Sequence, residues 1–132
     1  MAKFRKSQKS GDLAYRLDSI KELFTSLEKE IETLKKSGEI APSGCWIVRY
    51  QARGTGGTYW YYKWQSHDPI FVTKDGKMSC HKYIGKAGSP AFIKAVDMVM
   101  RRTKIEGLQQ SLYTVELALE DLVEEATRER ES

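Results

Sequence analysis

The sequence predicts an α+β fold, with a small antiparallel β-sheet inserted between two long helices that form an antiparallel coiled-coil hairpin. Three observations predict it. Leu13, Leu17, Ile20, Phe24, Leu27, Ile31 and Leu34 recur at spacings of 4, 3, 4, 3, 4 and 3, the a/d stripe of a helix packed lengthwise on another. Ile105, Leu108, Leu112, Val115, Leu119, Leu122 and Ala126 repeat at 3, 4, 3, 4, 3 and 4, a stripe of equal length. Between them, much of residues 45–84 alternates in strand fashion around glycine-containing turns and carries more than half of the chain's aromatic residues.

In chain order, residues 1–11 carry four Lys/Arg and no acid, and read as a basic flexible arm before a single domain, 12–132. Asp12 is placed as the N-cap of a stalk helix over 12–37, and Ser37-Gly38 supplies the glycine that ends it. A β head occupies 44–86. Its first strand is expected over Cys45–Ala52, a flexible tip over Arg53–Gly57, and a second strand over Thr58–Gln65. Alternation assigns Trp46, Val48 and Tyr50, with Trp60, Tyr62 and Trp64, to a core face. Arg49 and Gln51, with Tyr59, Tyr61, Lys63 and Gln65, fall on the outer face.

Ser66–Pro69 breaks the sheet. Ile70–Thr73 and Met78–Ile84 are then expected as a third and fourth strand around the Asp75-Gly76 turn. In the last of these Met78, Cys80 and Ile84 are expected inward, with His81 and Tyr83 outward and Lys82 at the edge. Ser89 and Pro90 open a long helix over 89–130 as N-cap and first helical residue. Phe92, Val96 and Val99 are expected to cover the sheet before the stripe changes phase near Arg101 and Arg102. Paired antiparallel, the two heptad stripes set Leu34 against Ile105 and Leu13 against Ala126 over roughly 32 Å. Leu23, Ala118 and Val123 add apolar surface beside that seam. A homodimer is therefore expected, with Leu17, Leu23, Phe24, Leu27, Leu112, Leu119 and Val123 in the association of the stalks.

The net charge of +4 is unevenly spread, with +6 over residues 38–107 and −5 over 108–132. That asymmetry suits a polyanion partner for one part of the chain. No apolar run is long enough for a membrane span, and the basic N-terminus lacks the apolar stretch of a secretory signal. Two cysteines, Cys45 and Cys80, make no disulfide framework, so a reducing cytoplasm is the expected location.

Chemistry finds little support. Cys80 and His81 are adjacent on one strand and aim to opposite faces, so neither a metal site nor a cofactor is expected. No nucleophile–base pattern occurs, so the chain does not read as an enzyme. Gly85–Pro90 leads from a strand into a helix N-terminus, where an anion is favoured or a capped turn suffices. The stronger candidate is duplex DNA on the basic aromatic sheet, with Arg49, Arg53, Tyr59, Tyr61, Lys63, Lys82, Lys86, Arg101 and Arg102 as contacts. Lys3, Arg5, Lys6 and Lys9 would add contacts to the phosphate backbone. A protein-interaction module without nucleic acid is the alternative, and RNA is a third ligand that exposed aromatics suit.

The runs YWYYKWQ at 59–65 and HKYIGKAGSPAFIKAVDMVMRRTKIEGLQ at 81–109 resemble a group of small uncharacterised cyanobacterial proteins. That resemblance covers about residues 44–110 and implies no activity. Strands ending in Tyr83-Ile84-Gly85-Lys86 before a helix also resemble the arm-type DNA-binding domains of phage integrases. Those use a three-stranded sheet on a helix to read a major groove. The resemblance implies that Arg49, Tyr61 and Lys63 are sheet-face contacts, in a regulator or adaptor acting on a chromosome, plasmid or phage element. The longer helices, the extra strand and the lack of a recombinase domain depart from that pattern.

Overall fold

The computed structural model describes the backbone of residues 2–131 and the side chains of residues 11–131. Its elements run α1 (Ala2–Lys36), β1 (Cys45–Gly54), β2 (Gly57–Ser66), β3 (Phe71–Val72), β4 (Met78–Ser79), β5 (His81–Gly85) and α2 (Pro90–Glu131). The chain divides into two compact units, 1–36 with 105–132 and 37–104, and α2 runs through both.

The helical unit is built on the two heptad stripes. Ile31, Ile105, Val115 and Leu122 are buried, and every other member of both stripes is half-buried. Their neighbours on the helices are mostly exposed, as an a/d seam requires. The antiparallel sense is fixed by an ion pair between Arg16 near the start of the chain and Glu125 near its end, at 2.8 Å. That hydrogen bond raises the Arg16 pKa and lowers that of Glu125. A depressed carboxylate stabilises the fold above its unfolded pKa and loses that contribution as pH falls through the folded value. Acid should therefore weaken the hairpin slightly, both groups being solvent-accessible. Glu125→Gln should remove part of the acid-side slope in a pH series of melting temperatures.

Asp12 does not cap this helix. The backbone of α1 begins at Ala2, and Asp12 sits within it, accepting from Arg16 Nε at 3.0 Å in an i,i+4 pair. At the other end, α1 stops at Lys36, as Ser37-Gly38 predicts.

In the β unit, β1, β2 and β5 form one antiparallel sheet in the order β1-β2-β5. β3 and β4 form a separate two-stranded sheet around Asp75-Gly76, where Gly76 takes φ 78°. The expected strand Met78–Ile84 is thus split at Cys80, whose carbonyl accepts from Ser66 N at 2.8 Å. The split turns Met78 out to 53% exposure, while Ile84 is buried as expected. The core gathers Ala41, Cys45, Trp64, Ile84 and Ala95, with Ile47, Tyr62, Phe71, Phe92, Met98 and Val99 packed against it. From α2 it is Phe92, Ala95, Met98 and Val99 that join this core, whereas Val96 is exposed. Helix α2 opens as its sequence dictates, with Ser89 Oγ accepting from Phe92 N at 3.2 Å and Pro90 in the first turn. Ser89→Ala should cost about 1 kcal/mol in a denaturant titration.

Candidate nucleic-acid interface

The hairpin register decides which side chains share a face. The turn between β1 and β2 is the two-residue Thr55-Gly56, flanked by the pair Gly54↔Gly57, with Gly56 at φ 89°. The strands therefore continue through most of the expected five-residue tip. Arg49 pairs with Tyr62, Tyr50 with Tyr61, and Gln51 with Trp60. Residues directly opposite one another point to the same face, so a one-residue change of register reverses a whole strand. The expected outer face is corrected accordingly: Arg49 and Gln51 do not share a face with Tyr59, Tyr61 and Lys63.

One face carries Cys45, Ile47, Arg49, Gln51 and Arg53 opposite Ser66, Trp64, Tyr62, Trp60 and Thr58. Its Cys45–Ile47 end is core. Its distal end is not: Trp60 is 47% exposed, with the Arg49 guanidinium carbon 4.0 Å from its ring centroid. The other face carries Trp46, Val48, Tyr50 and Ala52 opposite Gln65, Lys63, Tyr61 and Tyr59. β5 adds His81 and Tyr83 beside Gln65 and Lys63. Here Tyr50, Tyr61 and Tyr83 form a chain of rings with centroids 6.0 and 6.2 Å apart. Lys63 Nζ sits 5.0 Å over Tyr50, and Lys86 Nζ 5.0 Å over Tyr59. Desolvation among these rings, with the neighbouring Tyr83 and Tyr61, raises the Tyr50 pKa, so it remains a neutral donor through the physiological range.

β5 pairs with only Tyr62–Gln65 of β2. Beyond that, Tyr50–Gly54 and Gly57–Tyr61 continue as a two-stranded ribbon roughly 17 Å long. Both of its faces are basic or aromatic. None of the three strands β1, β2 and β5 contains a carboxylate, while they hold Arg49, Arg53, Lys63, His81 and Lys82.

Of the remaining expected contacts, Lys82 stands opposite Trp64 at the core-side edge of the sheet. Arg53 is exposed beside the turn. Arg101 and Arg102 are drawn into the fold. Arg101 donates to Glu39 O at 2.6 Å and Ser37 Oγ at 3.0 Å, and bonds Asp97 at 2.7 Å. Arg102 donates to Pro42 O at 2.6 Å and Cys45 O at 2.7 Å. The connector between α1 and β1 has carbonyls with no ladder to satisfy them, and these guanidiniums supply donors. The side chains of Lys3, Arg5, Lys6 and Lys9 lie outside the described residues. Trp60, Tyr50 and Tyr83 join the candidate site; the short Thr55-Gly56 turn is the signal that would have placed the first two.

Among the described residues no group of three or more His, Cys, Asp or Glu side chains could hold a metal ion, and none of the helices is long and apolar enough to cross a membrane. Of the expected association residues, Leu17, Phe24, Leu27, Leu112 and Leu119 are half-buried in the heptad seam of the hairpin. Leu23 and Val123 are 47% and 58% exposed. Comparison with protein-family models, characterised proteins and solved structures finds no match to this chain. The class supported on these grounds is the architecture itself, an α+β chain with a small antiparallel sheet between two long helices.

Proposed function

We propose that the chain binds duplex DNA by placing the β1–β2 ribbon in the major groove, as a regulator or adaptor on a DNA element. The observation that carries this reading is a two-stranded ribbon whose two faces are both reached by cations, Arg49 over Trp60 on one and Lys63 over Tyr50 with Lys86 over Tyr59 on the other, in a sheet free of carboxylates. A major groove about 12 Å wide admits a two-stranded ribbon, and phosphate walls on both sides of it favour a ribbon charged on both faces. Arg49 and Arg53 serve one wall and the bases below it. Lys63 and Lys86 serve the other, with Tyr59 and Tyr61 as hydrogen-bonding and stacking groups between them.

Four such cations at phosphates give a slope of log K against log salt of about −3.6, so affinity should fall roughly a hundredfold between 50 and 200 mM salt. Fluorescence anisotropy of a labelled duplex at the two salt concentrations measures this. Salt-insensitive or absent binding would favour the protein-interaction alternative, and preference for an unpaired strand would favour stacking on the tyrosine face. The exposed Leu23 and Val123, with Leu117 at 41%, support association of two copies through the helices, which light scattering reads as twice the chain mass.

A further inference from the structure

β5 closes the strand order β1-β2-β5; among the described residues no backbone group pairs its outer edge, and of its N–H groups His81 N donates to Ser79 Oγ at 3.0 Å. An open edge presents N–H and C=O groups from alternate residues, ready for another strand. Beside it on α2, Ala91, Lys94, Ala95 and Met98 fall on one helical face at i, i+3, i+4 and i+7. With Lys82 and Ile84 they line a groove of about 210 Å³. That is below the roughly 300–1,000 Å³ of small-molecule sites. An edge strand flanked by a helix with two alanines on its floor suits short side chains carried on an extended backbone.

Charge decides which backbone. Lys82 and Lys94 border the groove, and its one acid, Glu39, is held by Lys94 Nζ at 3.1 Å. A second copy of β5 would bring Lys82 against this positive rim, which like-charge repulsion disfavours. We propose that this groove takes an extended acidic segment of a partner protein. The segment adds to β5 as a further strand, seats apolar side chains at alternate positions against Ala91 and Ala95, and sets a carboxylate at Lys82. The site shares no residue with the ribbon; Lys82, an expected DNA contact, is not used by the DNA reading above, and the proposal stands independently of that reading.

The test uses the full chain, labelled with 15N, and a blocked nine-residue peptide alternating valine and glutamate. Amide shift changes should cluster at 81–85 and 91–98, and β5 amides should gain protection from hydrogen exchange. Ala91→Phe fills the groove at an exposed position, so folding is spared (checked by circular dichroism), and should weaken binding at least tenfold. Lys82→Glu should do the same, and should favour a valine–lysine peptide instead. Three results would each overturn the proposal: no shifts at millimolar peptide, shifts confined to the ribbon residues 49–61, or equal binding of a peptide N-methylated at alternate residues. Duplex binding measured on the same samples is expected to be unaffected; its absence would count against the DNA reading alone.

Discussion

Trp64→Ala should destabilise the β unit by about 3–5 kcal/mol. The side chain is 7% exposed and belongs to the core with Cys45, Ile84 and Ala95, against which the half-buried Phe92, Met98 and Val99 pack. These neighbours come from β1, β5 and α2, elements fixed by separate constraints, so they cannot all close over the space the indole leaves. Small domains have only about 5–15 kcal/mol in total, so such a loss brings the unit close to unfolding at room temperature. Thermal unfolding followed by near-ultraviolet circular dichroism checks this, with Trp60→Ala as the control. Trp60, half-exposed on the ribbon, should cost far less.

The second large effect concerns binding. Replacing Arg49, Arg53, Lys63 and Lys86 together with alanine should leave the fold intact, since none of the four is buried. It should also remove most of the salt-dependent affinity, making the slope of log K against log salt shallower by about 3–4. A variant with full affinity would separate DNA binding from the ribbon altogether. Melting temperature, measured beside binding, distinguishes lost contacts from lost structure.

The helices were legible because a seven-residue repeat leaves little freedom. Leu13 through Leu34 and Ile105 through Ala126 are buried or half-buried at every stripe position, and Arg16 meets Glu125 across the hairpin. The strands were also legible as strands, and the Ser89 cap fell where it was expected. The relation between the strands was not. Face assignment in a hairpin depends on whether paired residue numbers sum to an odd or an even value, which turn length decides. Thr55-Gly56 is a two-residue turn within a run of three glycines that also permits longer loops, and it pairs Arg49 with Tyr62 rather than with Tyr61 or Lys63. Arg101 and Arg102 depart from the expected surface role for a different reason. Their charge is visible in the sequence, but the carbonyls of Glu39, Pro42 and Cys45 that bind them come together only once the connector and the start of β1 are folded. The β4–β5 split at Cys80 likewise reflects partners outside the segment, since Met78 and Ser79 pair with Val72 and Phe71 of β3 while His81 onward pairs with β2.

The register also sets which binding geometry the sheet suits. A single flat basic face would lie against a surface, whereas a ribbon with cations on both sides fits between two walls of phosphate. The most direct measurement is therefore a salt titration of duplex binding by two variants, Arg49→Ala with Arg53→Ala, and Lys63→Ala with Lys86→Ala. A ribbon inserted in the groove predicts that each pair lowers affinity and makes the slope shallower by about two. If either pair leaves both affinity and slope unchanged, the ribbon does not enter the groove.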